Sequence, residues 1–245
     1  MHMVIELLKS HASVRDYKNI PLSREDVAEL VNAGQHAASS NFVQAYSVIH
    51  VTDAQKRQQL AELAKNPRQI LSAGAVLVFC ADFCRLDKAA EIHGKQIDYS
   101  HAESTLVATV DVALFAQNVA VAAESKGYGI CYIGGVRNAP LEISELFSLP
   151  EGVAPMFAMS IGVPDEANEV KPRLPVEAII HENGYDASKY DDILPTYDET
   201  MSAYYRSRGT NQKDTVWSEQ MADFLAQPRR TYMKEFLSKR GFTFN

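Results

Sequence analysis

The chain has 245 residues, of which 46% are hydrophobic and 22% are charged, and its formal net charge at pH 7 is −7. This composition is typical of a globular protein with a sizeable core, and an acidic chain without a basic run is not expected to bind nucleic acid, which requires clustered Lys and Arg. The three cysteines (Cys80, Cys84 and Cys131) are too few for a disulfide framework, so we expect a reducing, cytoplasmic environment.

The first half of the chain is predicted to alternate between helices and strands. In chain order, the predicted elements are a helix over 3–10, a helix after Ser23, a strand over 46–52, a helix after Asp53 and a strand over 73–82. Ser23 and Asp53 are expected to cap their helices, because their short polar side chains accept hydrogen bonds from free backbone N–H groups. The unbroken apolar run 73–82 favours a central strand that is buried on both faces. We expect no signal peptide, because Glu6 and Lys9 interrupt the apolar N-terminal stretch.

The second half is predicted to contain one long helix, two strands and a helical C-terminal region. After a polar segment over 83–100, the elements are a helix over 102–126, a strand over 130–135, a helix near Pro140, a strand over 154–164 and a polar, tyrosine-rich helical region over 190–245. The long helix is apolar on nearly all sides, which is typical of a core or an interface. Asp111, Gln117 and Asn118 disfavour a membrane span there. In a dimer interface these three side chains are expected to form hydrogen bonds between subunits, whereas a helix in a monomer core needs no partner.

Motifs for several other chemistries are incomplete. Ser160 in "AMSIG" is not followed by the helix that a nucleophile elbow requires, so a serine hydrolase is disfavoured. The "GYG" at 127–129 lacks the third glycine of a dinucleotide fingerprint, and the sequence has no P-loop motif. Cys80 and Cys84 have no second pair at zinc-ligand spacing, so we predict no metal site.

Three polar groups of residues lie beside apolar segments and have the composition of a phosphate site. They are His11, Ser13 and Arg15; Ser39 and Ser40; and Lys171 and Arg173. A phosphate monoester is bound by guanidinium, hydroxyl and backbone N–H donors. The two glycines of "YIGG" are interpreted as allowing the backbone to approach a flat ligand, because they carry no Cβ. Taken singly, each group is better explained as a surface loop or a helix cap.

Four motifs, taken in order, resemble one family. They are "HASVR" (11–15), "ASSN" (38–41), "YIGGVRN" (132–138) and "KPRLP" (171–175), and "HENGYD" and "YYRSRGTNQKDTVWSE" follow them. This ordered set is similar to the nitroreductase superfamily, in particular its NADPH-dependent flavin and nitro reductases. The resemblance implies an α+β fold with a central mixed β-sheet flanked by helices, and an intertwined homodimer with FMN at the dimer interface. We expect a single domain over 1–245, with a C-terminal helical extension from about residue 190.

The resemblance also assigns roles to individual residues. The residues that it places at FMN are His11, Ser13, Arg15, Ser39, Ser40, Asn41, Gln69, Tyr132, Ile133, Gly134, Gly135, Lys171 and Arg173. The residues that it places at NADPH are Arg137 and Arg208. The chain departs from the family pattern at Ala12, which takes the place of an arginine, and at Pro67, which takes the place of a glutamine for which Gln69 is a substitute. No acid or base residue is assigned, because the flavin performs the chemistry.

The activity that the resemblance implies is transfer of two electrons from NADPH, through FMN and by a ping-pong mechanism, to nitroaromatics, quinones or free flavin. The alternative is a flavin-binding protein without turnover, for storage or sensing, which the missing arginine at position 12 favours. The retained Arg208 region argues against that alternative, because a pure binding protein has no use for NADPH recognition. Membrane partners are not expected.

Overall fold

The structure of the protein, a computed structural model, describes residues 3–208 and 212–243. The helices in these residues are α1 (Met3–Lys9), α2 (Arg24–Gly34), α3 (Ala54–Ala64), α4 (Pro67–Leu71), α5 (Cys84–Ile92), α6 (Ala102–Ser125), α7 (Pro140–Leu146), α8 (Tyr190–Ser207), α9 (Trp217–Ala226) and α10 (Met233–Lys239). The strands are β1 (Tyr46–His50), β2 (Ala75–Asp82), β3 (Gly129–Ile133) and β4 (Val153–Gly162). Short 3-10 turns cover Ser40–Phe42, Gly134–Asn138 and Val176–Ala178.

The strands form one sheet in the order β1-β2-β4-β3. Every neighbouring pair in the described residues is antiparallel; Val78 of β2, for example, lies opposite Ile49 of β1 and Ala158 of β4. The α+β class is confirmed, but the expected mixed sheet is wrong. Strand direction depends on the end of the sheet that each connection reaches, and the composition of a strand does not carry that information.

The centre of the sheet is β2, which is buried along its whole length and has a hydrophobic cluster on each face. Leu77 and Phe79 pack into the cluster that contains Phe115 of α6, whereas Val76 and Val78 pack into the cluster formed with α3, α4 and α7. Burial of each such side chain contributes about 1.5–3 kcal/mol. The prediction of a central strand over 73–82 is therefore confirmed.

Both predicted helix caps are confirmed. The Ser23 side chain accepts a hydrogen bond from the Asp26 N–H at 3.0 Å, and the Asp53 carboxylate accepts one from the Lys56 N–H at 2.8 Å. The polar segment 83–100, for which no helix or strand is predicted, contains α5. No residue of α5 is fully buried, and the polar composition of the segment hides the helix in the sequence.

The long predicted helix is confirmed as α6. By length and mean hydropathy it is the one helix among the described residues that could cross a membrane, and 44% of its most apolar stretch is buried in protein. A core helix passes the same test, and the buried face of α6 packs on the sheet in the cluster around Phe115.

The chain divides into two compact units. The larger unit contains the described residues up to Asn168 and those from Arg230 onward, and the smaller unit is Glu169–Arg229. The expectation of a single domain over 1–245 stays a prediction.

Candidate active site

The segment that follows α1 is held against the sheet by two buried side chains. Val14 and Tyr17 are buried, and the Val14 N–H donates to the Ile130 carbonyl of β3 at 2.9 Å. The Tyr17 hydroxyl lies 2.8 Å from the Ser160 hydroxyl, and burial raises the pKa of Tyr17. This anchoring leaves Arg15 exposed between the two buried side chains.

The guanidinium of Arg15 is exposed and forms no ion pair in the described part of the chain. Among the described residues, the Arg15 guanidinium hydrogen-bonds only to the Ser13 carbonyl, at 3.4 Å. Two carboxylates lie nearby, and Arg68 contacts both of them, at 2.7 Å from Asp16 and 3.8 Å from Glu166. Glu166 also accepts the backbone N–H of Arg15 at 2.5 Å. Arg68 thus offsets the local negative charge and leaves the Arg15 guanidinium available to an anion.

His11 is held by the last turn of α6. Its Nδ1 atom lies 2.5 Å from a carboxylate oxygen of Glu124, and the Glu124 side chain is only 13% exposed. This contact fixes the start of the segment on which Ser13 and Arg15 lie.

Residues 39–45 form a loop after α2, here called the serine loop, which a buried carboxylate holds in place. Asp111 of α6 is fully buried and accepts the Ser39 hydroxyl at 2.7 Å. It also accepts the backbone N–H groups of Ser40 and Ala45, both at 3.1 Å. Asp111 therefore forms its hydrogen bonds within the chain, and the expectation that it bonds across a subunit interface is wrong.

Tyr132 and Ile133 end β3 with opposite exposure. Ile133 is buried, whereas Tyr132 is 37% exposed and its ring packs edge-on against Phe157 with 5.4 Å between centroids. The Tyr132 hydroxyl donates to the side-chain oxygen of Gln117 at 3.3 Å. Burial, together with the charge of Glu124, raises the pKa of Tyr132. The phenol therefore stays neutral and acts as a donor.

The two glycines after β3 have different surroundings. A Cβ on Gly135 would lie 2.2 Å from the Ala64 carbonyl oxygen and 2.2 Å from the Asn66 side-chain oxygen, which no real side chain permits. Gly135 is thus required by close packing on the end of α3, not by approach to a flat ligand. A Cβ on Gly134 would meet the Arg137 guanidinium at 3.3 Å. Of the two, only Gly134 stays consistent with the interpretation made from the sequence.

Arg137, the first of the two predicted NADPH residues, is half-buried and packs on β4. Its Nη1 atom donates to the Met156 carbonyl at 2.6 Å, and its own carbonyl accepts the Tyr232 hydroxyl at 2.9 Å. Burial, together with the charge of Arg230, lowers the pKa of Arg137. One N–H donor of this guanidinium is therefore already used in a hydrogen bond within the protein.

Gln69 lies half-buried on α4. The preceding residue, Arg68, forms the 2.7 Å ion pair with Asp16, so the helix of Gln69 is tied to the segment that carries Arg15. No sequence motif marks Arg68; its role depends on a contact across 52 residues.

In the smaller unit, Lys171 and Arg173 lie beside the tyrosines of α8. The Lys171 ammonium is 5.3 Å from the centre of the Tyr205 ring, and Lys213 lies 5.6 Å from it. Burial raises the pKa of Tyr205, but the hydrogen bond and charge of Lys171, the hydrogen bond of Gln220 and the charge of Lys213 together outweigh it, so that the net shift is downward. Arg173 donates to the Lys171 carbonyl at 2.8 Å. The unit thus concentrates positive charge around one phenol.

Arg208, the second predicted NADPH residue, follows the last turn of α8. Its guanidinium lies 5.7 Å from the centre of the Tyr204 ring. Residues 209–211, part of the motif "YYRSRGTNQKDTVWSE", lie outside the described residues.

Most of the predicted site residues belong to the larger unit, in which a few contacts connect them. Val14 joins the segment after α1 to β3, Arg68 joins it to α4, and His11 joins it to α6, which also carries Asp111. Lys171, Arg173 and Arg208 belong to the smaller unit, and their place beside the other groups stays a prediction. Sequence reasoning missed the role of Asp111 within the chain, although a carboxylate in the middle of an apolar helix is itself a signal of a buried partner.

Comparisons with known proteins extend over almost the whole chain. The model of the nitroreductase family matches residues 8–163, and the model of the nitroreductase family C-terminal domain matches residues 171–245. A Cr(VI) reductase from Pseudomonas sp. (strain G-1) is 56% identical over 240 residues, which cover 98% of this chain and 99% of the relative. The NADPH-flavin oxidoreductase of Vibrio harveyi is 41% identical over 241 residues and 98% of each chain.

A solved structure agrees with these matches. The structure of the nitroreductase NfrA1 from B. subtilis has a TM-score of 0.94 and 39% identity, and the match covers 99% of this chain and 100% of that chain. Identity at this level over full length shows common descent as well as a common fold, and the chain belongs to the nitroreductase family.

Proposed function

We propose that the chain is an FMN-dependent oxidoreductase that takes two electrons from NADPH and passes them to small-molecule acceptors. The observation that carries the proposal is its similarity, over nearly its full length, to a relative named as an NADPH-flavin oxidoreductase. Membership of the nitroreductase family is consistent with the same chemistry.

The donor set of the larger unit fits the phosphate and ribityl end of FMN. Arg15 offers an unpaired guanidinium, and Ser40 and Asn41 are exposed on the serine loop. A phosphate monoester is bound by a guanidinium group together with neighbouring hydroxyl and amide donors. Ser39 has no free hydroxyl hydrogen, because it donates that hydrogen to Asp111; in this proposal it shapes the loop rather than contacting the ligand.

When bound, FMN would supply the two-electron redox chemistry between NADPH and the acceptor. The residues of the chain bind and orient: Arg15 holds the phosphate, and Lys171 and Arg173 supply positive charge that stabilises the reduced state. Arg208, assisted by Arg137, selects NADPH over NADH. Ping-pong kinetics follow if NADPH and the acceptor use one binding position in turn.

The proposed acceptors are nitroaromatics, quinones and free flavin. Cr(VI) joins them, because the relative from Pseudomonas, 56% identical to this chain, is named for its reduction. The proposed assembly is a homodimer, and the proposed location is the cytoplasm, in keeping with three free cysteines.

One spectroscopic experiment tests the proposal. The absorbance of the purified protein is recorded after loading with FMN, then after anaerobic addition of NADPH, and finally after addition of each acceptor. We expect the flavin bands to bleach with NADPH and to return with an acceptor. Bands that never bleach support the flavin-binding alternative instead, and a protein that binds no FMN contradicts both.

A further inference from the structure

Asp111 stands out among the charged residues of α6, because it is fully buried. An ionised carboxylate in a protein core is costly unless hydrogen bonds satisfy it. Asp111 receives three hydrogen bonds, and all of the donors lie on the serine loop: the Ser39 hydroxyl and the N–H groups of Ser40 and Ala45. The carboxylate is thus dedicated to this loop.

The serine loop has a backbone conformation that needs such support. Asn41, Phe42 and Gln44 have φ angles of 47°, 61° and 54°, in the left-handed region that L residues rarely adopt. Each residue of this kind costs about 1–3 kcal/mol and persists only where the surroundings enforce it. The Arg85 guanidinium also donates to the Gln44 carbonyl at 2.8 Å and to the Tyr46 carbonyl at 2.6 Å.

The same hydrogen bonds divide the donors of the loop into two sets. The Ser39 hydroxyl donates to Asp111 and accepts the Gln44 N–H at 2.7 Å, so it is used inside the protein. The Ser40 N–H is used in the same way. The side chains of Ser40 and Asn41 are exposed and carry donors that these hydrogen bonds leave free.

We propose that Asp111 is a positioning residue for FMN. Through Ser39 it fixes the serine loop in the strained form that presents the Ser40 and Asn41 side chains to the cofactor. This inference rests on the proposed FMN site, but it assigns the role to a residue that does not touch the ligand.

The test combines Asp111→Asn, Ser39→Ala and the double variant. An asparagine has only one accepting oxygen. With that oxygen at the Oδ2 position its NH2 group opposes the Ser40 N–H, and with it at the Oδ1 position the NH2 group opposes the Ser39 hydroxyl and the Ala45 N–H, so at least one of the three hydrogen bonds is lost. FMN affinity is measured by fluorescence titration of the flavin-free protein, and thermal unfolding is measured beside it. We expect each single variant to weaken FMN binding about tenfold or more, and the double variant to be little weaker than Asp111→Asn, because residues that act as a unit are not additive.

Val119→Ala is the matched control. Val119 is fully buried on the same helix, about two turns further on, and its truncation lowers the melting temperature by leaving a cavity. We expect FMN affinity to stay within about twofold of wild type in this control. If it falls as far as in Asp111→Asn, loss of stability alone explains the effect and the proposal is wrong.

The remaining outcomes are also decisive. If Asp111→Asn and Ser39→Ala both bind FMN as tightly as wild type does, the positioning role of Asp111 is wrong and the proposed function stands. If the wild-type protein binds no FMN, the proposed function and this inference are both wrong. If Asp111→Asn does not fold, Ser39→Ala with its smaller change decides the question.

Discussion

At the scale of single residues, Gly135 offers a sharp test of the packing. We expect Gly135→Ala to lower the free energy of unfolding by about 3 kcal/mol or more, since the added methyl group would overlap backbone and side-chain oxygens at 2.2 Å. Gly184→Ala is the control, because a Cβ there meets nothing within 4 Å and its φ angle is ordinary. Urea unfolding midpoints measure both; equal midpoints contradict the close packing on Ala64 and Asn66.

The same residue shows what a motif can and cannot predict. The sequence marks "YIGG" as a place where side chains are excluded, and the structure agrees for Gly135, but the excluding atoms belong to α3. Ser39 is similar: its motif identifies the loop, yet its hydroxyl serves Asp111. A motif indicates that a certain residue type is required at a position. The neighbouring atoms that impose the requirement are distant in the sequence, so only the structure identifies them.

At the scale of helices and strands, the sequence predicts an element correctly where residues close in the chain determine it. The caps at Ser23 and Asp53 and the buried strand β2 depend on neighbours within a few residues or on continuous apolar character, and they were predicted correctly. The helix α5 and the antiparallel direction of the strands are not predicted, because α5 lies in a polar segment and strand direction is decided by long connections.

The end of β1 gives a pH-dependent prediction. Burial, and then the charges of Arg57 and Arg24, lower the pKa of His50 below its usual 6.5. Below pH 6.5 the unfolded chain therefore binds a proton that the folded chain does not, and the free energy of unfolding falls as the pH decreases through this range. We expect His50→Gln to reduce this loss of stability in melting curves between pH 7 and pH 5. The exposed His93 provides the control; an effect of His93→Gln equal to that of His50→Gln contradicts the assignment.

At the scale of the whole molecule, the larger unit has an apolar surface that a single chain leaves uncovered. Helix α1 has no buried residue, and Val4 is 63% exposed. On α6, Leu106, Val110 and Leu114 follow each other at intervals of four residues and are 61%, 53% and 42% exposed. Residues at that spacing share one face of a helix, and a contiguous apolar face of this kind marks an interaction surface. A second copy of the chain is the proposed occupant, in keeping with the proposed homodimer.

Placing a charge in the middle of this face tests the dimer and the flavin site together. In Val110→Glu a carboxylate replaces the central apolar side chain, and its burial in an interface without a partner is strongly unfavourable, so we expect a monomer in analytical ultracentrifugation where wild type is a dimer. Ala89→Glu, on the exposed surface of α5, controls for added charge and should stay dimeric. If the FMN sites lie at the interface, the Val110→Glu monomer also loses FMN while its far-UV circular dichroism is retained. A monomer that keeps full FMN affinity places the flavin site within one subunit, and an unchanged dimer moves the interface away from α6.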